Sequence, residues 1–463
     1  MVFSSISFLY YFLPICIMCY FLTPTKFRNK ILLIFSLFFY FYGESKYIIV
    51  LIFSCILNYY AGNLIIKYPK RKKLLLITNL VINFGLLFYF KYFNFFITNI
   101  NNLLNTNLPI LHIIMPIGIS FFTFQATSYV IDIYKEEIKP AKNVFDFATY
   151  LTLFPQLIAG PIVRYETVAE EMENRKTSIP LVASGLKRFI IGLGKKVLIA
   201  NLLGAFASSL DTLSSPTILS FWLKALAYTF QIYYDFSGYS DMAIGLGHIF
   251  GFHFLENFNY PLIAKSITDF WRRWHISLST WFRDYLYIPL GGNRLGKKKQ
   301  IRNILIVWLT TGLWHGASWN FVLWGLYFAI LLLLEKFIWK KFLEKHKIFA
   351  HISTFILIIF SFIIFQTESI PDIILFFQNL FNFNLPFTNI ETNFYLSNYL
   401  IILMLACIGM GPWIKNLYNK FSNSKTGKKV LIIAEPIFLM ILLFIITGYI
   451  IDDSYNPFLY FRF

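Results

Sequence analysis

Charge is what this chain has least of: Asp, Glu, Lys and Arg make up 14% of its 463 residues, against 57% for hydrophobic side chains. A water-facing surface needs about a quarter of its residues charged, so a soluble globular body is excluded and lipid must be the solvent. Cysteine is scarce as well, and the four present, Cys16, Cys19, Cys55 and Cys407, all lie in apolar runs. They imply no disulfide framework, and Cys16-x-x-Cys19, which has zinc-ribbon spacing, lacks a second pair to complete a site. Asp235 and Asp241 interrupt one apolar stretch without clustered histidine or further acids. That is a poor metal site, and no metal is expected. A Walker phosphate loop is missing too, since Gly291-Gly-Asn-Arg294 reads as a tight turn. With no internal repeat, Pro-rich linker or low-complexity arm, residues 1–463 read as one integral domain, 451–463 forming an aromatic tail beyond the last span.

What is present in their place is a succession of apolar runs bounded by basic clusters. The reading is all-α: a polytopic membrane protein with about eleven crossings, the remaining short or Gly/Pro-broken runs being re-entrant or interfacial. The run 5–22 is followed by Lys26, Arg28 and Lys30 and reads as a retained first span. The formal net charge is +18. Its basic loops, 26–30, 67–73, 297–302, 336–347 and 415–429, are expected on the cytoplasmic side, and the Asn-rich segment 92–108 outside. The charges fall between apolar spans and form no continuous stripe, which argues against nucleic acid.

Two of the seven histidines stand out by context. His315 lies in Thr310-Thr-Gly-Leu-Trp-His-Gly316, near the end of a run that begins beside the lysines at 297–299. A helix from there carries it roughly 20 Å into the bilayer at 1.5 Å per residue, an expensive place for an ionisable group. Gly312 and Gly316 leave room beside it for another backbone or a substrate. The plain alternative is a neutral imidazole bridging two helices. His275 lies in Asp269-Phe-Trp-Arg-Arg-Trp-His-Ile-Ser-Leu-Ser279, where tryptophans and arginines crowd together as at an interface or a funnel wall. On one helix, Arg272, His275 and Ser279 would share a face, and Asp284 would pair with an arginine. The arginines, Arg272 and Arg273, suit an anionic donor's phosphates. Asp235-Phe-Ser-Gly-Tyr-Ser-Asp241 reads as a broken helix lining a cavity, and Pro155-Gln-Leu-Ile-Ala-Gly-Pro161 as a re-entrant bend.

At Trp271-Arg-Arg-Trp-His-Ile-Ser-Leu-Ser279 and Trp314-His-Gly316 the sequence closely resembles the membrane-bound O-acyltransferase superfamily. Phe282-Arg-Asp-Tyr-Leu-Tyr-Ile-Pro-Leu-Gly-Gly-Asn-Arg294, Tyr234-Asp-Phe-Ser-Gly-Tyr-Ser-Asp241, Pro116-Ile-Gly-Ile-Ser-Phe-Phe-Thr-Phe-Gln125 and Ala159-Gly-Pro-Ile162 look like its bacterial branch that O-acetylates alginate, peptidoglycan and other envelope polysaccharides. The resemblance implies a helical body around a central tunnel, set in the bacterial cytoplasmic membrane, with His315 as catalytic base and His275 as its companion. Trp314, Gly316, Ser279, Arg272, Arg273, Asp235 and Asp241 become candidates for lining the tunnel or binding substrate. It implies acetyl-CoA as donor, with no permanently bound cofactor, and a C-terminal tyrosine, here Tyr460, as carrier of the acyl group. The chain has no Gly-Asp-Ser hydrolase motif, so an extracytoplasmic SGNH-type transferase is the expected partner. D-alanyl transfer from a carrier protein, a transporter and a non-enzymatic scaffold are the alternatives.

Overall fold

The computed structural model describes residues 2–158 and 160–452. Their regular secondary structure is helical, with no strand among the described residues. That is the form in which a backbone satisfies its own hydrogen bonds inside lipid. Among the described residues, seven helical stretches are long and apolar enough to cross a membrane: Ile48–Lys67, Pro69–Leu104, Ile179–Thr212, Trp319–Lys345, Lys347–Gln366, Ile390–Gly409 and Lys425–Asp452. Ser7–Leu22 and Ile370–Leu380 are shorter apolar helices. Other expected spans lie in helices that are short, such as Ile119–Tyr134, or that carry charge, such as Lys297–His315.

The chain forms two compact units. One comprises Met1–Phe189 with Ser240–Leu255, the other Ile190–Tyr239 with Glu256–Phe463. In the first, the helix Ile119–Tyr134 is buried almost all round, and Phe12 and Phe39 pack on Phe154 at ring distances of 5.3 and 5.6 Å. Asn79 and Asn83 each donate to Oδ1 of the buried Asn58 at 3.0 Å, tying Lys72–Leu87 to Ile48–Lys67 by amides that satisfy one another. The segment read as a re-entrant bend contains a buried one-turn helix, Phe154–Leu157.

The expected break between Asp235 and Asp241 does not occur: Ile218–Phe250 is one continuous helix. Gly238 serves close packing instead, for a Cβ there would stand 2.7 Å from the Gly192 carbonyl oxygen. Asp235 forms a buried ion pair with Lys196 at 2.9 Å. Within the first unit, Asp241 takes Arg188 Nη2 at 2.8 Å. A helix tolerates these acids because each meets a cation, and no break is needed to hydrate them.

Candidate active site

Five helices of the second unit carry or surround the motif residues: α1 (Ile267–Trp271), α2 (Ile276–Phe282), α3 (Lys297–His315), α4 (Trp319–Leu334) and α5 (Lys347–Gln366). α1 is held at its start. The Ser266 side chain accepts from the Asp269 N–H at 3.1 Å, and Glu335 accepts from the N–H groups of Ile267 at 2.7 Å and Thr268 at 3.2 Å. Glu335 is buried and opens a π-helical stretch, Glu335–Trp339, where α4 ends. Asp269 takes Arg273 Nε at 2.7 Å.

The chain leaves α1 and turns at His275, whose backbone is left-handed, with φ at 43°. The single helix expected across the motif is therefore interrupted, and Arg272 belongs to a different element from Ser279. Ser279 still stands one turn after His275, its N–H donating to the His275 carbonyl at 3.1 Å. Asn257 clamps the turn: its Oδ1 lies 3.2 Å from His275 Nδ1 and accepts from Ser277 N at 3.1 Å and Ser277 Oγ at 2.9 Å. The Asn257 carbonyl accepts from Ile276 N at 3.0 Å.

His275 is sealed at 0% exposure and His315 at 2%. The ring of Trp314 is 6.0 Å from that of His275 and 5.1 Å from that of His315. Trp324 and Phe365 stand edge-on to His315 at 5.0 and 5.3 Å, and Phe236 meets His275 at 4.7 Å. Burial draws the His275 imidazole below the ordinary histidine range and favours the neutral ring. Of the two settings expected for this segment, an interface or a funnel wall, an exposed interface does not fit, because Trp271, Trp274 and Trp281 are buried. Trp271 packs on Trp308 at 4.5 Å and Phe328 at 4.9 Å, so this tryptophan joins α1 to α3 and α4. The space at Gly312 is taken by backbone, a Cβ there meeting the Phe321 carbonyl oxygen at 2.2 Å, and that at Gly316 by the Phe321 ring at 2.1 Å.

Beside the histidines lies a cavity of about 1070 Å³. Its wall includes Ile276, next to His275, and Thr311, one turn before His315. Arg272 and Ser279 line it, together with Lys265, Lys336, Lys340 and Lys347. Arg272 makes no side-chain hydrogen bond or ion pair among the described residues. Arg273 is turned to Asp269 and to the Asn259 carbonyl, 3.3 Å away. Arg283, also on the wall, pairs with Asp284 at 2.6 Å, and this bond raises the guanidinium's already high pKa.

The structure thus brings His275, Trp314 and His315 into one aromatic enclosure, with Arg272 and Ser279 on the adjoining cavity. Asp235 sits in its ion pair, and Tyr460 lies outside the described residues. The sequence motifs mark neither Asn257 nor Glu335 as part of the site. The available signal for Glu335 was a carboxylate placed after an uninterrupted Leu331–Leu334 run.

The model of the membrane-bound O-acyltransferase family matches residues 134–370, which contain both histidines. A Pseudomonas aeruginosa protein named probable alginate O-acetylase is 41% identical over 394 residues, covering 83% of this chain and 75% of its own. The peptidoglycan O-acetyltransferase of Helicobacter pylori is 37% identical over 409 residues, covering 80% of this chain and 78% of its own. The teichoic acid D-alanyltransferase of Bacillus subtilis is 31% identical over 271 residues, 54% of this chain and 68% of its own.

Proposed function

The chain belongs to the membrane-bound O-acyltransferase family, and from that premise we propose that it moves acetyl from acetyl-CoA toward the hydroxyls of an envelope polysaccharide. The observation that carries this reading is the pair of buried histidines joined through Trp314 beside a basic cavity. O-acyl transfer needs a base for the attacking hydroxyl, a dry site, and a hold on the donor's anionic handle. His315 is the base. As the hydroxyl oxygen bonds to the thioester carbon, its proton passes to the neutral imidazole. The C–S bond then breaks, and the departing thiolate takes that proton back from the His315 imidazolium. His275 is its catalytic companion, a second imidazole in the same enclosure. Arg272, Lys340 and Lys347 meet the phosphates, guanidinium by its fork and ammonium as a point charge.

On the positive-inside rule the cavity opens to the cytoplasm of a bacterial inner membrane, because its lysines include those of the basic segment 336–347 at the end of a membrane-crossing helix. Acetyl then crosses on Tyr460, whose phenol forms an ester only somewhat less activated than the thioester, and passes outside to an SGNH-type partner transferase. The relatives' names support alginate-like polymer or peptidoglycan as acceptor. The two O-acetylating relatives align over far more of this chain than the D-alanyltransferase does, which favours acetyl over D-alanyl.

Radiolabelled acetyl-CoA offered to the purified protein in nanodiscs tests the proposal. Label should appear on wild type and be lost in His315→Ala and Tyr460→Phe. Label kept in Tyr460→Phe removes the acyl-tyrosine, and label kept in His315→Ala removes the assigned base. A wild type that takes label only from an acyl-carrier protein moves the donor to that class.

A further inference from the structure

We infer that Asn257 is a positioning residue that holds His275 in the tautomer protonated at Nδ1, leaving Nε2 as the acceptor, and holds the left-handed turn that presents the ring. The inference rests on the reading that His275 takes part in acyl transfer.

The hydrogen-bond inventory fixes the orientation. Asn257 is buried at 0% exposure, and the side-chain atom that faces Ser277 lies 3.1 Å from a backbone N–H, which can only donate. That atom must be the amide oxygen, since the reversed amide would set N–H against N–H. The same oxygen is 3.2 Å from His275 Nδ1. Two acceptors do not bond, so Nδ1 carries hydrogen. A neutral imidazole has a single N–H, and the lone pair therefore resides on Nε2. Ser277 Oγ also comes within 3.5 Å of Nδ1, but its one hydrogen is given to this oxygen at 2.9 Å, so it does not supply Nδ1 with a donor.

The backbone argument is independent of the ring. A residue with a Cβ adopts φ near 43° only when its surroundings impose it. Here Asn257 binds on either side of the strained residue, its carbonyl taking Ile276 N at 3.0 Å and its amide oxygen taking Ser277 N. The Phe236 ring stands at 89° to the imidazole, 4.7 Å away, and packs against the orientation that Asn257 sets. One asparagine thus sets the tautomer, the turn and the direction of His275, as the orienting third group does for a histidine in hydrolase triads.

The test is thiol release from acetyl-CoA by the full chain in nanodiscs. Asn257→Leu keeps the volume and removes the oxygen, and Asn257→Asp keeps an oxygen acceptor. The expected result is a loss in turnover of about 10–100-fold for Asn257→Leu, the range for removing an orienting partner, with the half-saturating acetyl-CoA concentration within about twofold of wild type. Asn257→Asp should recover to within about threefold of wild type, and Ser277→Ala, which removes one of the other donors, should stay near it. Wild-type turnover in Asn257→Leu overturns the inference. So does Asn257→Asp failing as far as Asn257→Leu, because packing and not the acceptor would then be at work. If Asn257→Leu does not elute as a folded protein, Asn257→Ala is compared with Asn257→Asp by the same criteria. His275→Ala at wild-type turnover removes the underlying reading of the ring, a result separate from any Asn257 outcome.

Discussion

The carboxylate of Glu335 receives the backbone N–H of Ile267 at 2.7 Å, so an acid at the end of one apolar helix holds the start of the helix leading into the His275 motif. The N–H groups of a first helical turn have no partner inside their own helix, and an acid there also meets the positive end of the peptide dipoles.

Glu335→Ala should therefore cost about 1–3 kcal/mol, the penalty for leaving buried donors unsatisfied. Glu335→Gln, which keeps one acceptor oxygen, should cost less. Thermal unfolding in detergent distinguishes the two. Equal melting temperatures for wild type and Glu335→Ala would show that the cap does not matter to α1.

The buried Lys196–Asp235 pair carries a different expectation. Removing one partner strands a charge in the interior, so Lys196→Met or Asp235→Leu should destabilise by about 3–5 kcal/mol. Replacing both with apolar residues of similar volume should restore most of the loss, because neither desolvation cost then remains. A double variant as unstable as the sum of the singles would mean that the pair contributes more than charge neutralisation.

The all-helical architecture was legible in the composition, because lipid allows so few alternatives. The placement of His315 at the end of a helix that starts at Lys297 was legible as well, since an apolar run with a basic start reports its own length. The turn at His275 was not. It depends on Asn257, 18 positions earlier, and local propensity cannot anticipate a long-range clamp. The continuous helix through Asp235 was hidden for the same reason. Two acids and a Ser-Gly pair read as a break until Lys196 and the Gly192 carbonyl are known to be opposite. The role of Glu335 was hidden too, because what it caps lies 68 positions away.

Glycine substitutions separate packing from propensity. A Cβ on Gly312 would lie 2.2 Å from the Phe321 carbonyl oxygen and one on Gly325 2.3 Å from that of Trp308, so α3 and α4 touch backbone to backbone. Backbone cannot rotate aside. Gly312→Ala or Gly325→Ala should lose about 1–3 kcal/mol or more through forced separation of the helices. Gly85, with nothing within 4 Å of its would-be Cβ, is the control. Gly85→Ala should be neutral or should gain up to about 1 kcal/mol from helix propensity. Similar melting shifts at all three positions would contradict the close approach of α3 and α4.

The basic wall of the cavity makes the last prediction. If Arg272, Lys340 and Lys347 bind donor phosphates, they act on the bound donor and the transition state alike, so their loss should raise KM and spare kcat. Arg272→Ala should raise KM for acetyl-CoA by about tenfold, corresponding to about 1.4 kcal/mol. Single lysine variants should do less, because an ammonium meets phosphate as a point charge without the guanidinium's two-pronged fork. Raising the ionic strength should raise wild-type KM in the same direction and leave the lysine variants less affected, since the interaction that salt weakens is already gone. Steady-state kinetics at two salt concentrations read both effects. A fall in kcat at unchanged KM in Arg272→Ala would place the guanidinium at the reacting thioester and not on the phosphates.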